Sequence, residues 1–518
     1  MLMQSNLMVM RNVFVLSVLL FCFSCKKDSS VNPDNKDNPV NATAVKTYYV
    51  DGTSGNDSND GLSLATAWKT IQKSFNTAVA GGLVLIKGGT YYEQLTVKVS
   101  GTAGSPVTFT NYNGEQVIID GSKNSGTTIV TIADKSNLVF SNLTIQNMTK
   151  NNATGVLLSA SKSGAASNIT FRNVVFKNIK WTSSASTTPN SSQNAQPFIA
   201  FGYGTAQANA ITNLVIDSCE FTGNITGYSE SLSLDGNIDG FTITNNKVHD
   251  NSNIGIAAIG HYGTSSNSTL DQSRNGLIRG NICYNNKAGY ATSGGIYVDG
   301  GGNIKIDQNI TYQNGYGIEI GNEENGTASN ITVTNNVIYL NEVAGIAIGG
   351  YDSGNSGQVT NCIIRNNSFL KNNTNNDGSG EIYMTKASNC TIGNNVFYTN
   401  SQNTLFTLEN ISPQTGNSFD YNDWYTQSGN ASNININWRS TSYSSFSTYK
   451  TKTGMDAHSV FQDPLFTSLT TPDLHLKTGS PALKTGNAAW ITDATEKDLD
   501  GKPRVVNGAV DMGAYEQQ

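Results

Sequence analysis

An asparagine, four residues that include an aliphatic or aromatic pair, and a second asparagine recur eight times: Asn142/Asn147, Asn173/Asn178, Asn246/Asn251, Asn281/Asn286, Asn309/Asn314, Asn336/Asn341, Asn367/Asn372 and Asn395/Asn400. A degenerate copy runs from Ser218 to Gly223. The last five steps are 35, 28, 27, 31 and 28 residues, which fits one solenoid coil of roughly 20-odd residues plus a variable loop. Propeller blades need about 40 or more. Near the pairs, apolar residues alternate, as in Asn330-Ile331-Thr332-Val333-Thr334, and a period of two marks strands. Asparagine tolerates the left-handed backbone of tight corners. Stacked on successive coils, its amides can form hydrogen-bonded ladders. The fold class that follows is all-β, a right-handed parallel β-helix.

Composition agrees. There are 51 glycines and only 10 prolines, and charged residues make up 14%, well under the usual quarter or so. Amides and hydroxyls therefore carry the solubility. A net charge of -6 leaves no basic footprint for nucleic acid. Arg11, the apolar run from Val13 to Phe23, and Ser24-Cys25 read as a signal segment that resembles those of bacterial lipoproteins, with Cys25 as the lipidated residue. The run is short for a transmembrane helix. The expected order is a signal over 1–25, a flexible tether over 26–46, and one β-helix domain over 47–518. Within that domain we expect an N-terminal cap and first coils over 47–120, repeat coils over 121–410, and C-terminal coils and a cap over 411–518. Such a chain sits at the cell envelope as a surface-displayed outer-membrane lipoprotein, a monomer touching the membrane through its lipid alone; the alternative is secretion. Cys219, Cys283, Cys362 and Cys390 show no metal-type spacing and are expected as buried free thiols.

Several segments carry resemblances. Tyr48-Tyr49-Val50-Asp51-Gly52, Ala67-Trp68-Lys69-Thr70-Ile71-Gln72 and Val84-Leu85-Ile86-Lys87-Gly88-Gly89-Thr90-Tyr91 resemble the opening of β-helical polysaccharide lyases, notably family nine with its pectate lyases, over about residues 47–120. An amphipathic helix near 67–80 would close the open end of the solenoid. Asp463-Pro464-Leu465-Phe466, Asp498-Leu499-Asp500-Gly501-Lys502-Pro503-Arg504 and Asp511-Met512-Gly513-Ala514-Tyr515-Glu516 look like the C-terminal segment of extracellular β-helix proteins. The repeats between 250 and 400 resemble a group of uncharacterised secreted β-helix proteins.

Chemistry gathers on one stretch. Gly295-Ile296-Tyr297-Val298-Asp299, Gly317-Ile318-Glu319-Ile320-Gly321 and Gly345-Ile346-Ala347-Ile348-Gly349 share one strand pattern. Alternation turns the Ile and Val residues inward and Tyr297, Asp299, Glu319 and Tyr383 outward. Asp299 and Glu319 then sit on adjacent coils with a backbone offset of about 8 Å, suited to flanking a glycosidic bond. Glu323, Tyr351, Asp352, His261 and Arg274 are expected around them.

A lyase-like enzyme cleaving a uronate-containing polysaccharide is the leading expectation. Lys386 is its candidate base, because Glu381 to Lys386 resembles the Glu and Lys spacing of the chondroitinase B and alginate lyase family. Ca²⁺ or an Arg would neutralise the uronate; no other cofactor is expected. Hydrolysis by Asp299 with Glu319 or Glu323 is the first alternative. A glycan-binding solenoid without catalysis is the second. Tyr297, His261, Arg274, Tyr351, Asp352, Glu381 and Tyr383 are the expected substrate contacts.

Overall fold

The computed structural model describes residues 45–350 and 356–517. Cys25, the rest of the signal and residues 26–44 of the tether lie outside the described residues. The described chain winds as a parallel β-helix whose coils each contribute to three series of parallel strands. One series includes Ile238–Thr244, Ser273–Arg279, Gly302–Asp307 and Thr327–Thr334. A second is short, with Lys247–His249, Ile282–Tyr284, Ile310–Tyr312 and Val337–Tyr339. The third, the front sheet, includes Ser252–Ile259, Gly294–Asp299, Tyr316–Gly321, Ala344–Gly349 and Ile382–Met384. In it Ile256, Ile296, Ile318, Ile346 and Ile382 stack in register inside the coil. All five are fully buried. Phe109, Phe140 and Phe171 form a ring stack with centroids 5.3 and 4.9 Å apart.

The five-residue spacing is a three-residue strand with its two corners. From residue 246 onward each coil turns at a left-handed residue, such as Asn245, Gln308, Asn335 or Asn366, with φ of 53–59°. The following asparagine points inward. Its backbone N–H and its Nδ2 both donate to the Oδ1 of the same asparagine on the next coil. This ladder runs Asn246, Asn281, Asn309, Asn336, Asn367, Asn395, Asn422 at 2.8–3.2 Å. A second ladder flanks the other end of the short strands through Asn251, Asn286, Asn314, Asn341 and Asn372.

The eight pairs are therefore not all equivalent. Asn142, Asn147, Asn173 and Asn178 are themselves the left-handed residues, with φ of 52–59°. Their amides bond near the surface, Asn173 to Asn142 and Asn178 to Asn147, each at 3.3 Å. In those coils apolar Leu143, Met148, Val174 and Ile179 take the inward place beside the corner and extend the core. Asn400 also leaves the ladder, donating to the Asn372 and Asn373 carbonyls.

The N-terminal cap is shorter than the sequence suggests. Its helix spans Ile71–Thr77, with Thr70 as N-cap accepting from the Lys73 N–H. Ala67 and Trp68 stay extended because Trp68 bridges Val50 in the first strand and stacks on Tyr48 at 4.8 Å. Ile71 and Phe75 close the core. At the far end a helix, Phe446–Thr453, buries Phe446 and Tyr449. Residues 463–517 then do not add coils. Phe466, Leu474, Met512 and Ala514 pack on Val337, Leu370 and Val396, which the short strands turn outward. Glu496 joins this segment to Arg365 through two bonds of 2.7 Å. The four cysteines are buried and free.

The ladder makes a test of unequal costs. Asn309→Ala removes the acceptor for both Asn281 donors and should cost about 2–6 kcal/mol, since each buried donor left alone costs about 1–3. Asn173→Ala, at a surface corner, should cost only about 1–2 kcal/mol for the left-handed backbone. Urea midpoints of the two variants, measured against the unmodified protein, give the comparison.

Candidate active site

The register of the front sheet builds the site. It places Ala257, Tyr297, Glu319, Ala347 and Tyr383 in one outward column. Asp299 pairs with Gly321, two residues further along. Tyr297, Asp299, Glu319 and Tyr383 thus share a face, as alternation requires. Small residues, Ala347 and Gly349, lie between Glu319 and Tyr383, and the gap they leave is a cleft of about 220 Å³. Tyr297, Tyr316, Glu319, Asn322, Glu323 and Tyr383 line it.

The face is not the open surface that outward alternation suggests. Tyr297 and Asp299 are each only 4% exposed. The loop after Ile259 brings Tyr262 onto Asp299, and Asp271 shapes that loop by accepting the Gly263 and Ser265 N–H groups at 2.6 and 2.7 Å. Tyr262 donates its hydroxyl to Asp299 Oδ2 at 2.6 Å and reaches Glu323 Oε2 at 3.4 Å. The Glu323 N–H donates to Asp299 Oδ1 at 2.9 Å.

Two acidic residues that sequence reasoning missed join them. Ser231, Ser233 and Asp235 alternate with Leu232 and Leu234 along the strand Ile225–Gly236, two coils before Asp299. Burial, reinforced by the Asp235 and Asp299 charges, pushes Glu230 up to about 8. Asp235 rises to about 6 through burial and the Asp271 charge. For Asp235 the visible signal was the alternation itself, in the same period as Tyr297-Val298-Asp299, whereas Glu230 shares the parity of Leu232 and Leu234 and the alternation does not mark it.

Electrostatics separate the carboxyl groups. Burial and the Glu323 charge raise Asp299 to about 7, although Tyr262 and the Glu323 N–H favour its charged form. Glu319 goes well above the usual range through burial and the Glu323 and Asp299 charges, with no hydrogen bond acting against them. Exposed Glu323 is raised less firmly, because burial is opposed by the Tyr262 hydroxyl. Glu319 is accordingly the member with no hydrogen bond to favour its charged form. The Asn322 side chain, 1% exposed, finds no hydrogen-bond partner for its Oδ1 or Nδ2 among the described residues. Ser231 Oγ, Ser233 Oγ and Asp235 Oδ1 are likewise unpartnered.

Other expected residues fall elsewhere. Arg274 lies on the strand Ser273–Arg279 of a different series, and its guanidinium is spent on the Leu270 and Gln272 carbonyls, Asn237, Gln207 and Asp239. Lys386 is buried, donates to the Ser356 carbonyl at 2.8 Å, and lines a separate cleft with Gln358 and Pro413. Glu381 does not face a substrate. It is fully buried and ends the second ladder, accepting from the Asn372 N–H at 3.2 Å and Nδ2 at 2.6 Å, and burial pushes it up to about 8. A glutamate supplies the acceptor that the next asparagine would have supplied. His261 sits at a left-handed corner over Gly300 and Gly326, with a 3.4 Å contact to Gln272. Tyr351 and Asp352 lie outside the described residues.

Asp299, Glu319 and Glu323 offer oxygen donors of the type calcium takes. Among the described residues, however, no three acidic, His or Cys side chains converge on one point.

Comparison with known proteins places the chain. Over 447 residues it is 34% identical to the uncharacterized protein YwoF of Bacillus subtilis (strain 168), covering 84% of this chain and 92% of that one. The chain belongs to the YwoF family. No family model matches it. A 61-residue stretch of this YwoF-family protein is 39% identical to pectate lyase PEL9 of Emericella nidulans, covering 11% of the chain and 15% of the lyase. Among solved structures, the GH136 lacto-N-biosidase from Eubacterium ramulus matches with a TM-score of 0.50 and 14% identity, over 73% of this chain and 67% of that one. That likeness is one of fold.

The raised carboxyl groups fix how stability responds to pH. Glu230, Asp235, Asp299 and Glu381 bind protons in the fold that they release when unfolded. Their stabilising contribution is complete below about pH 4 and is lost as pH rises through about 6–8. The melting temperature should therefore fall between pH 5 and pH 8.5. Glu319→Gln, which keeps the shape without the charge, should shrink that fall in the same calorimetric series.

Proposed function

We propose that this YwoF-family protein is a glycoside hydrolase acting on a neutral glycan. Glu319 serves as the general acid, and ionised Glu323 is its partner, acting on water or on the anomeric carbon. The observation that carries the reading is the convergence of Glu319 and Glu323 on one cleft, both raised by burial but Glu323 alone restrained by a hydrogen bond, from Tyr262. Such a split is what glycosidic cleavage asks of two carboxyl groups. Glu319 needs its proton to give to the leaving oxygen. Buried Asp299 helps it keep that proton and holds the Glu323 backbone in place.

The rest of the cleft supports a sugar ligand. Tyr297, Tyr316 and Tyr383 give aromatic walls. The buried Asn322 amide has one acceptor and two donors unused, and hydroxyl groups can supply the partners. A uronate finds less here. Among the described residues no Lys, Arg or His lines the cleft, so a substrate carboxylate would meet like charge there. Lys386, the base of the lyase alternative, is engaged with Ser356. The PEL9 likeness covers 11% of the chain, and the β-helix fold serves more than one chemistry.

A panel of neutral glycans, pectins, alginates and chondroitins, followed both for new reducing ends and for the ultraviolet absorbance of an unsaturated product, tests the proposal. Reducing ends without that absorbance are expected, on a neutral substrate. Unsaturated product would replace the proposal with the lyase reading, and binding without cleavage with the glycan-binding one. Glu319→Gln should then lower kcat by about 10²–10⁴, the usual worth of a general acid, and Glu323→Gln by at least as much. Full activity in either would move the site.

A further inference from the structure

Tyr262 lies on a loop with its ring 42% exposed, while its hydroxyl is turned in toward the carboxyl cluster. The partners of that hydroxyl among the described residues are the two carboxylates, Asp299 Oδ2 at 2.6 Å and Glu323 Oε2 at 3.4 Å. A phenol has one proton to donate, so it serves one carboxylate fully at a time. The shorter bond goes to buried Asp299, and the longer one to Glu323, which lines the cleft. The loop is built to hold this pose. Asp271 fixes the Gly263 and Ser265 amides on either side of Thr264, and Thr264 anchors to Asp235 Oδ2 at 2.8 Å.

Resting on the reading of Glu319 and Glu323 as the working pair, we infer that Tyr262 is a positioning residue whose single hydroxyl is shared between Asp299 and Glu323 and favours the charged form of Glu323, a help that Glu319 lacks. Asp299 has further donors in the Glu323 N–H and Tyr297, whereas Tyr262 is the one donor to the Glu323 carboxylate among the described residues. Glu230, Glu319, Glu323 and Asp299 face the phenol or one another, Glu324 adjoins Glu323, and Tyr297 closes the other side. Every one of these is acidic or a phenol, and no Lys, Arg or His bonds to the two carboxylates among the described residues. A hydrogen bond donated to a carboxylate favours its charged form. Like charges crowded together favour the neutral form instead, so the phenol is what limits the rise of Glu323. Tyr262 retains its own proton throughout, because burial and the adjoining carboxylates hold its hydroxyl far above its ordinary range.

Tyr262→Phe keeps the ring and removes only the donor. The acidic limb of the kcat/KM pH profile should then move up by about one pH unit, the worth of one hydrogen bond to a charged group. Activity should fall about tenfold below that limb and little at pH 7. A role confined to latching the loop would lower activity equally at all pH values and leave the limb in place, and that result overturns the inference. A second readout needs no substrate. The loss of melting temperature between pH 5 and pH 8.5 should grow in Tyr262→Phe, because Asp299 and Glu323 release their protons later in the fold. If no glycan is cut but this loss grows, the hydrolase reading fails and the role of Tyr262 in setting the carboxylate charges stands. If glycans are cut and neither the limb nor the loss changes, the hydrolase reading stands and the inference falls.

Discussion

A backbone N–H and a side-chain amide of one asparagine, both donating to the same oxygen of the next, tie each coil to its neighbour from Asn246 to Asn422. Corners are the weak points of a solenoid, since chain reversal breaks the strand ladder and leaves polar backbone facing the core. Buried polar groups must find partners. The ladder satisfies them within the stack, and it does so only when coils are in register, because an offset coil loses two bonds per corner. The in-register pairing of all three strand series follows. So do the columns of the front sheet, and with them the placement of Glu319 between Tyr297 and Ala347.

The same rule explains the cleft. An outward column alternates in size as it passes from coil to coil, and a depression appears where small residues follow large ones. Ala347 and Gly349 leave the space that Glu319 and Tyr383 border. Carboxyl groups placed there lose water without gaining a Lys, Arg or His partner among the described residues. Their proton affinity rises as a result, and it rises unequally because Tyr262 and the Glu323 amide assist Asp299 and Glu323 but not Glu319. Chemical differentiation among identical side chains thus comes from a loop and one register step.

Much of this was legible beforehand. Period-two alternation put Tyr297, Asp299, Glu319 and Tyr383 on one face, and the asparagine spacing announced coils, corners and ladders. Equating all eight pairs was an error, since an asparagine at a left-handed corner and one in the buried ladder have the same letter and sit one residue apart. Glu381 misled for a related reason: its spacing to Lys386 looked like chemistry, while its neighbours in space made it a ladder acceptor. Arg274 was expected at the front because it is close in sequence to His261, but the intervening turn carries it to another strand series.

By itself the sequence determined the solenoid, its three-residue short strands and the face that bears the acids, because those depend on local periodicity and on residues that recur at one place in every coil. Only the tertiary structure decided which acids meet. Glu230 and Tyr262 reach Asp299 from coils and loops far away along the chain, and proximity across a stack leaves no mark in the spacing. It also decided their protonation, for the affinity of a carboxyl group is set by the water it loses and the charges it gains, and both are properties of the assembled surface.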